Sequence, residues 1–188
     1  MNILQGMGVL LISAVIVALD QITKLIVKSR FFLEESMPVL GDVLRFTYIE
    51  NPGMAFGIRF GGRYFFTVFS ALATLVILVY LYRIRRERLP ARLSLALILG
   101  GAIGNLIDRF AYGQVIDFID VGLDTLRWPV FNLADSAVSI GMVMLVLLVF
   151  FEKEKAGVAP AEVPSFPKTK PSPSEEHDNW QEARPPSA

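Results

Sequence analysis

The sequence contains no cysteine and a single histidine, His177, among its 188 residues. The first absence removes disulfides, thiolate nucleophiles, iron–sulfur clusters and sulfur-rich zinc sites together. The second leaves no material for a histidine-based triad or a histidine-ligated metal, because His177 lies in a polar, proline-rich C-terminal stretch. Nor is there an excess of charge: 18 Lys and Arg balance 18 Asp and Glu, so no basic field invites nucleic acid or an anionic substrate. Hydrolytic chemistry in such a chain must draw on carboxylates, Ser, Thr, Lys or Tyr, and no metal or other cofactor is expected.

What the sequence has in quantity is apolar residues, 53% of the total, with a mean hydropathy of +0.50. That is too apolar for an ordinary soluble domain and points to a membrane protein. Residues 3–19 carry no charge, and the apolar character resumes after Asp20. No Lys or Arg precedes Lys24, which argues for an uncleaved first transmembrane helix over a secretory signal peptide. Residues 64–82 form a second uncharged span, 93–107 a third and 136–151 a fourth. Gly100, Gly101 and Gly104 make one side of the third span small, which suits close helix packing or close approach of a substrate. Five arginines in 83–92 assign that connection to the cytoplasm. Four spans then place both termini inside and segments 29–62 and 108–135 outside, although Arg30, Arg45 and Arg59 weigh weakly the other way. Trp128 and Tyr112 suit an interfacial aromatic belt.

The expected fold is therefore a membrane all-α bundle of four transmembrane helices with a small extracytoplasmic β-sheet at about 39–60. In that sheet, 43–49 is one strand, Pro52 and Gly53 make a turn, and 54–60 is the second strand. Residues 1–155 form the membrane domain. From Ala156 the composition changes, with seven of the eleven prolines and little apolar periodicity, so 156–188 is expected to be a disordered cytoplasmic tail.

Ionisable groups gather at the helix ends, where they are costly in lipid and so mark function. Asp20 and Lys24, four apart on one helix face, suit an ion pair that sets depth and packing. Asp108 beside Arg109 suits a structural ion pair or a lock between loop and helix. Asn132 is placed as N-cap of the fourth helix with Asp135 in its first turn, where the helix dipole favours an ionised carboxylate. Asp117 lies in the apolar run VIDFI, where desolvation raises a carboxyl pKa. Asp120 and Asp124, beside Gly122, read as solvated. Two carboxylates sharing a proton can activate a water and polarise a carbonyl without metal, histidine or cysteine. On these grounds Asp117 with Asp135 is the preferred pair and Asp108 with Asp135 its rival. Asn51, at the turn after the first strand, offers an amide to a peptide backbone or bonds its own backbone. A non-enzymatic membrane module and a lipid phosphatase are competing classes. The first would favour broken helices near mid-membrane, and the second lacks a usable histidine.

The blocks DQITK (20–24), ENPGMAFG (50–57), GGAIGNLIDR (100–109), VIDF (115–118) and FNLADS (131–136) together resemble bacterial lipoprotein signal peptidase (signal peptidase II). They occur in that family's order, across four hydrophobic spans. The resemblance implies an inner-membrane aspartic endopeptidase that cuts prolipoproteins just before a diacylglyceryl-modified cysteine. It implies Asp117 and Asp135 as catalytic residues, with either one activating the water. It further implies Asn51, Gly53, Asn105, Arg109 and Asn132 as substrate contacts, and Asp20, Lys24 and Asp108 as structural supports. The expected partners are the lipidated precursors and membrane lipid, with no nucleic acid, and the expected state is a monomer with its active site at the extracytoplasmic face.

Overall fold

The computed structural model describes residues 3–53 and 62–157. The described residues form four helices, α1 (Ile3–Arg30), α2 (Gly62–Arg83), α3 (Leu89–Ala111) and α4 (Leu133–Gly157), and four strands, β1 (Ser36–Leu40), β2 (Leu44–Asn51), β3 (Val115–Leu123) and β4 (Leu126–Arg127). The chain divides into two units, Met1–Glu154 and Lys155–Ala188, and every element of the site belongs to the first.

Each helix holds a stretch long and apolar enough to cross a membrane: Gly8–Arg30, Tyr64–Arg83, Leu89–Ala111 and Leu133–Phe151. Their large apolar side chains face outward, as a lipid-facing surface requires, whereas α3 is different. Buried positions make up 56% of its span, against 22% or less in the others, so α3 is the helix on which the bundle is built. It reaches that position through small residues. At Gly104 an added Cβ would sit 2.6 Å from an Asp20 carboxylate oxygen and 3.3 Å from Ala134 Cβ, so α1 and α4 both close on the same point of α3. Of the two roles open to the glycines, helix packing is the one this geometry requires. Val9, Leu81, Leu95, Ala96, Ile98 and Leu99 fill the apolar core around it.

The sheet is antiparallel throughout, in the order β1-β2-β3-β4. This corrects the sequence reading in two respects. β2 lies between β1 and β3, and segment 115–127, expected as part of a loop, supplies half the strands. The expected second strand at 54–60 falls outside the described residues. The register places Asn51 opposite Val115, and Ile49 opposite Asp117. Along β3 the two-residue period turns Ile116 and Phe118 into a cluster with Val27 and Tyr48, and so sends Asp117 to the opposite face. An apolar face thus fixes the direction of a carboxylate.

Gly104 offers a direct check. Gly104→Ala should destabilise the protein by about 1–3 kcal/mol through overpacking against Asp20. Gly8→Ala has nothing within 4 Å of the added methyl, so it should be neutral or slightly stabilising through helix propensity. Thermal unfolding of both variants in the same detergent makes the comparison, and equal melting temperatures would refute the close approach.

Candidate active site

A single ammonium organises the site. Lys24 is 1% exposed and has three N–H donors, each with its own acceptor. It contacts Asp20 Oδ2 at 2.8 Å, Asp108 Oδ2 at 2.8 Å and Asn105 Oδ1 at 2.9 Å. The two carboxylates pass this constraint on. Asp20 Oδ1 accepts the backbone N–H of Ala134 at 2.9 Å, one residue before Asp135. Asp108 Oδ2 accepts that of Ile116 at 3.2 Å, one residue before Asp117. Gln21 joins the same centre by donating to Asp108 Oδ1 (2.9 Å), to the Gly104 carbonyl (3.1 Å) and to Asp20 Oδ2 (3.2 Å). The i,i+4 pair expected between Asp20 and Lys24 is present. Asp108, by contrast, pairs with Lys24 across the bundle rather than with its neighbour Arg109.

The side chains of Asn105 and Asn132 connect Lys24 to both candidate aspartates. Lys24 can only donate, so Asn105 must turn its oxygen to the ammonium, which directs its nitrogen to Asp135 Oδ1 at 2.7 Å. Asn132 is fully buried, and its amide donates to Asp117 Oδ1 (2.7 Å), Asn105 Oδ1 (3.0 Å) and the Ile116 carbonyl (3.2 Å). Asn132 also caps α4, where its Oδ1 accepts the Asp135 N–H at 2.9 Å while Asp135 Oδ2 accepts the Asn132 N–H at 3.2 Å. This reciprocal arrangement satisfies two backbone donors that a helix N-terminus leaves unpaired. One residue thereby touches Asp117 through its side chain and Asp135 through both side chain and backbone.

The two carboxyls have different surroundings. Asp117 is 2% exposed. It accepts from Asn132 on one oxygen and from Asn51 Nδ2 at 3.0 Å on the other. Burial pushes it up from its ordinary 3.8 to about 7. The Asn51 hydrogen bond pulls down, the Asp135 charge pushes up again, and Asn132 and Lys24 act to lower it. Asp135 is less enclosed and sits at a helix N-terminus among N–H donors. At Asn51 the local role is present, since its Oδ1 accepts the Gly53 N–H at 2.9 Å, and its nitrogen is turned to Asp117. Gly53 is confined to glycine by a φ of +103° and by the ring of Phe66, which an added Cβ would strike. Arg109 donates to the Asn105 carbonyl at 3.3 Å and lies in the fields of Asp135, Asp117 and Asp108.

All ten residues singled out from the sequence thus fall in or beside one polar cluster, except that Gly53 enters it only through its N–H to Asn51. Gln21 was missed. It stands inside the DQITK block, but an amide between two charged neighbours carries no signal of its own. Asp120, read as solvated, is buried and paired with Arg127 Nε at 2.7 Å, and it also accepts from Thr47 at 2.8 Å, so it fastens the sheet instead. Glu50 is likewise held, by the Tyr48 hydroxyl at 2.7 Å and by Gln114, next to the strand end that bears Asn51.

Known proteins share this arrangement of elements. Residues 12–151 match the family described as Signal peptidase (SPase) II. The chain is 44% identical over 153 residues to the lipoprotein signal peptidase of Syntrophus aciditrophicus, covering 78% of this chain and 95% of that protein. It is 43% identical to that of Brevibacillus brevis over 145 residues, covering 77% and 96%. Among solved structures, a bacterial membrane enzyme determined by the in meso method at 2.3 Å resolution superposes with a TM-score of 0.67 and 31% identity, covering 83% of this chain and 94% of that one. A second, at 1.9 Å resolution, gives 0.64 and 32%, covering 76% and 92%.

The Asp117 environment has a measurable signature. A carboxylic-acid C=O infrared band should bleach with a midpoint near pH 7 and be missing from Asp117→Asn. The linkage has a definite sign: because the folded pKa lies above the unfolded one, this group's contribution is complete below about pH 4 and is lost as pH rises through about 7. Relative to wild type, Asp117→Asn should therefore gain thermal stability between roughly pH 4 and pH 7, whatever its constant offset. A flat difference across that range would contradict the assignment.

Proposed function

This chain belongs to the signal peptidase II family of membrane aspartic peptidases, and from that premise we propose that it removes signal peptides from prolipoproteins just before the diacylglyceryl-modified cysteine, with Asp117 and Asp135 as the catalytic dyad. Lipoprotein signal peptidase function follows from the family. The observation that carries the dyad assignment is the Asn132 bridge, which joins a strand carboxylate and a helix-terminus carboxylate within one hydrogen-bonded network.

In this reading Asp117 holds the shared proton at rest and Asp135 serves as the base. Asp135 takes a proton from the attacking water, while the Asp117 carboxyl donates to the scissile carbonyl oxygen and stabilises charge developing there. As the tetrahedral intermediate collapses, the proton gained by Asp135 passes to the departing amine and the proton on the former carbonyl oxygen returns to Asp117. Water has then been added across the peptide bond. Asn51, Gly53, Asn105, Arg109 and Asn132 contact the substrate backbone, and the guanidinium of Arg109 adds positive potential beside the dyad. Lys24, Asp20 and Asp108 hold the frame. The substrate's acyl chains stay in the bilayer, the peptide lies against the sheet, and one chain supplies the whole site, so the working unit is a monomer. Residues 156–188 have no part in the mechanism.

We place both termini and the α2–α3 connection in the cytoplasm, with the sheet and dyad on the opposite face, as the Arg83–Arg92 cluster favours. The absence of cysteine makes this easy to test. Single cysteines at Phe32, Glu87 and Leu126, all at exposed positions, should react with an impermeant thiol reagent in intact cells at Phe32 and Leu126 only. Labelling at Glu87 with protection at the other two would reverse the orientation.

For the dyad, Asp117→Asn and Asp135→Asn should each abolish single-turnover cleavage of a lipidated precursor peptide while leaving its binding largely intact. Asparagine keeps the shape but cannot accept the water's proton or supply an acidic one. The double variant should be scarcely worse than either single one, since residues that act as a unit are not additive. Asp108→Asn should instead lower stability by weakening the contact to buried Lys24. Full activity in Asp117→Asn would end the assignment, and a folded but inactive Asp108→Asn would move the dyad to Asp108 and Asp135.

A further inference from the structure

The α2–α3 connection has a chemistry that the peptidase reading does not use. Arg83, Arg85, Arg86 and Arg88 lie within six residues, with Glu87 the one acid among them. Arg83, Arg86 and Arg88 are exposed. The backbone between the helices is folded on itself by Ile84 N–H to Tyr80 O (2.9 Å), Arg85 N–H to Tyr82 O (3.4 Å) and Glu87 N–H to Ile84 O (2.9 Å). The arginines therefore project from a short, hydrogen-bonded turn instead of a slack loop. Arg85 is set further: its guanidinium lies 4.4 Å from the Tyr82 ring centroid and donates to the Tyr82 carbonyl at 3.2 Å. Tyr80 and Tyr82 are themselves half or more exposed, at 51% and 67%, along the last turn of a membrane-length helix.

We infer that this arginine turn is a binding site for the anionic headgroups of membrane phospholipids. Guanidinium groups match phosphate oxygens in a bidentate geometry that a lysine ammonium does not reproduce. Basic clusters at the end of a transmembrane helix attract anionic lipid. The exposed tyrosine rings and apolar helix surfaces beside the turn offer a place for the glycerol backbone and acyl chains, which a soluble anion lacks. Lipid is also the anion in greatest supply where two spans end. The turn stands at the N-terminal end of α3, 16 residues from Asn105, or roughly 24 Å along the helix, so occupancy should leave the dyad's chemistry untouched.

The full-length protein, purified in a zwitterionic detergent, would be mixed with phosphatidylglycerol, with phosphatidylcholine of the same acyl chains, or with inorganic phosphate. Retained lipid would be counted by native mass spectrometry and the melting temperature followed in parallel. Phosphatidylglycerol should be retained selectively and raise the melting temperature. Retention should weaken roughly fivefold for each arginine lost and largely vanish in R83Q/R85Q/R86Q/R88Q, whose cleavage rate in detergent alone should match wild type. The all-lysine counterpart, which keeps the charge without the fork, should fall between the two. K28Q/R30Q, at the opposite end of the bundle, should behave as wild type. Equal retention of both lipids, full retention by the glutamine variant, or an equal effect of inorganic phosphate would overturn the proposal.

Discussion

The structure depends on keeping one ammonium ion out of water. Burying a lone Lys side chain is strongly unfavourable, and the burial of Lys24 is tolerable only because three acceptors meet its three donors. Those acceptors come from α1 and from two successive turns of α3, so the charge ties the helices together. Its influence extends further, because Asp20 and Asp108 each grip the backbone amide immediately before a candidate aspartate. The strand and helix that deliver Asp117 and Asp135 are thus positioned from a common origin. Such a centre is poor as a source of net stability, since an apolar substitute could match it. Its value lies in geometric definition, for removal of one member leaves an uncompensated charge costing about 3–5 kcal/mol.

The two aspartates owe their difference to where they sit in secondary structure. A strand residue whose neighbours face an apolar cluster is turned to the other side of the sheet, and there Asp117 is buried within the polar network, which pushes its pKa up. A residue in the first turn of a helix meets backbone N–H groups, and Asp135 enjoys that positive environment. Chemically identical groups are thereby given unequal surroundings, and the amides of Asn51, Asn105 and Asn132 join them in one hydrogen-bonded network.

Much of this was legible in the chain itself. The helices follow from uncharged runs of membrane length, the cap on α4 from Asn132 preceding Asp135 by three, and the Asp20–Lys24 pair from helical spacing. The VIDFI run correctly announced a buried carboxylate at Asp117. What escaped was whatever depended on partners distant in sequence. Period-two alternation identified β2 but could not say that its neighbour is β3, about seventy residues away, because strand pairing leaves no local trace. Asp120 looked solvated because it stands near Gly122 and Asp124 in what reads as a turn, whereas the Arg127 that encloses it arrives by way of the β3–β4 turn. Asp108 does lock its helix to the following segment through the Ile116 N–H, but its ionic partner is not the adjacent Arg109, since residues adjacent on a helix point apart; that partner lies on another helix.

The pairing of Lys24 with Asp20 also bears on how such a protein is made. Asn105 and Asp108 are synthesised more than eighty residues after Lys24, long after the first helix has met the bilayer. A bare ammonium in that helix would oppose its insertion, but Asp20 stands one turn away on the same face and neutralises it without help from any other segment. The first helix can therefore enter lipid as an internally balanced unit. Once α3 is delivered, the ammonium already stands in place as the template on which the rest of the polar centre condenses.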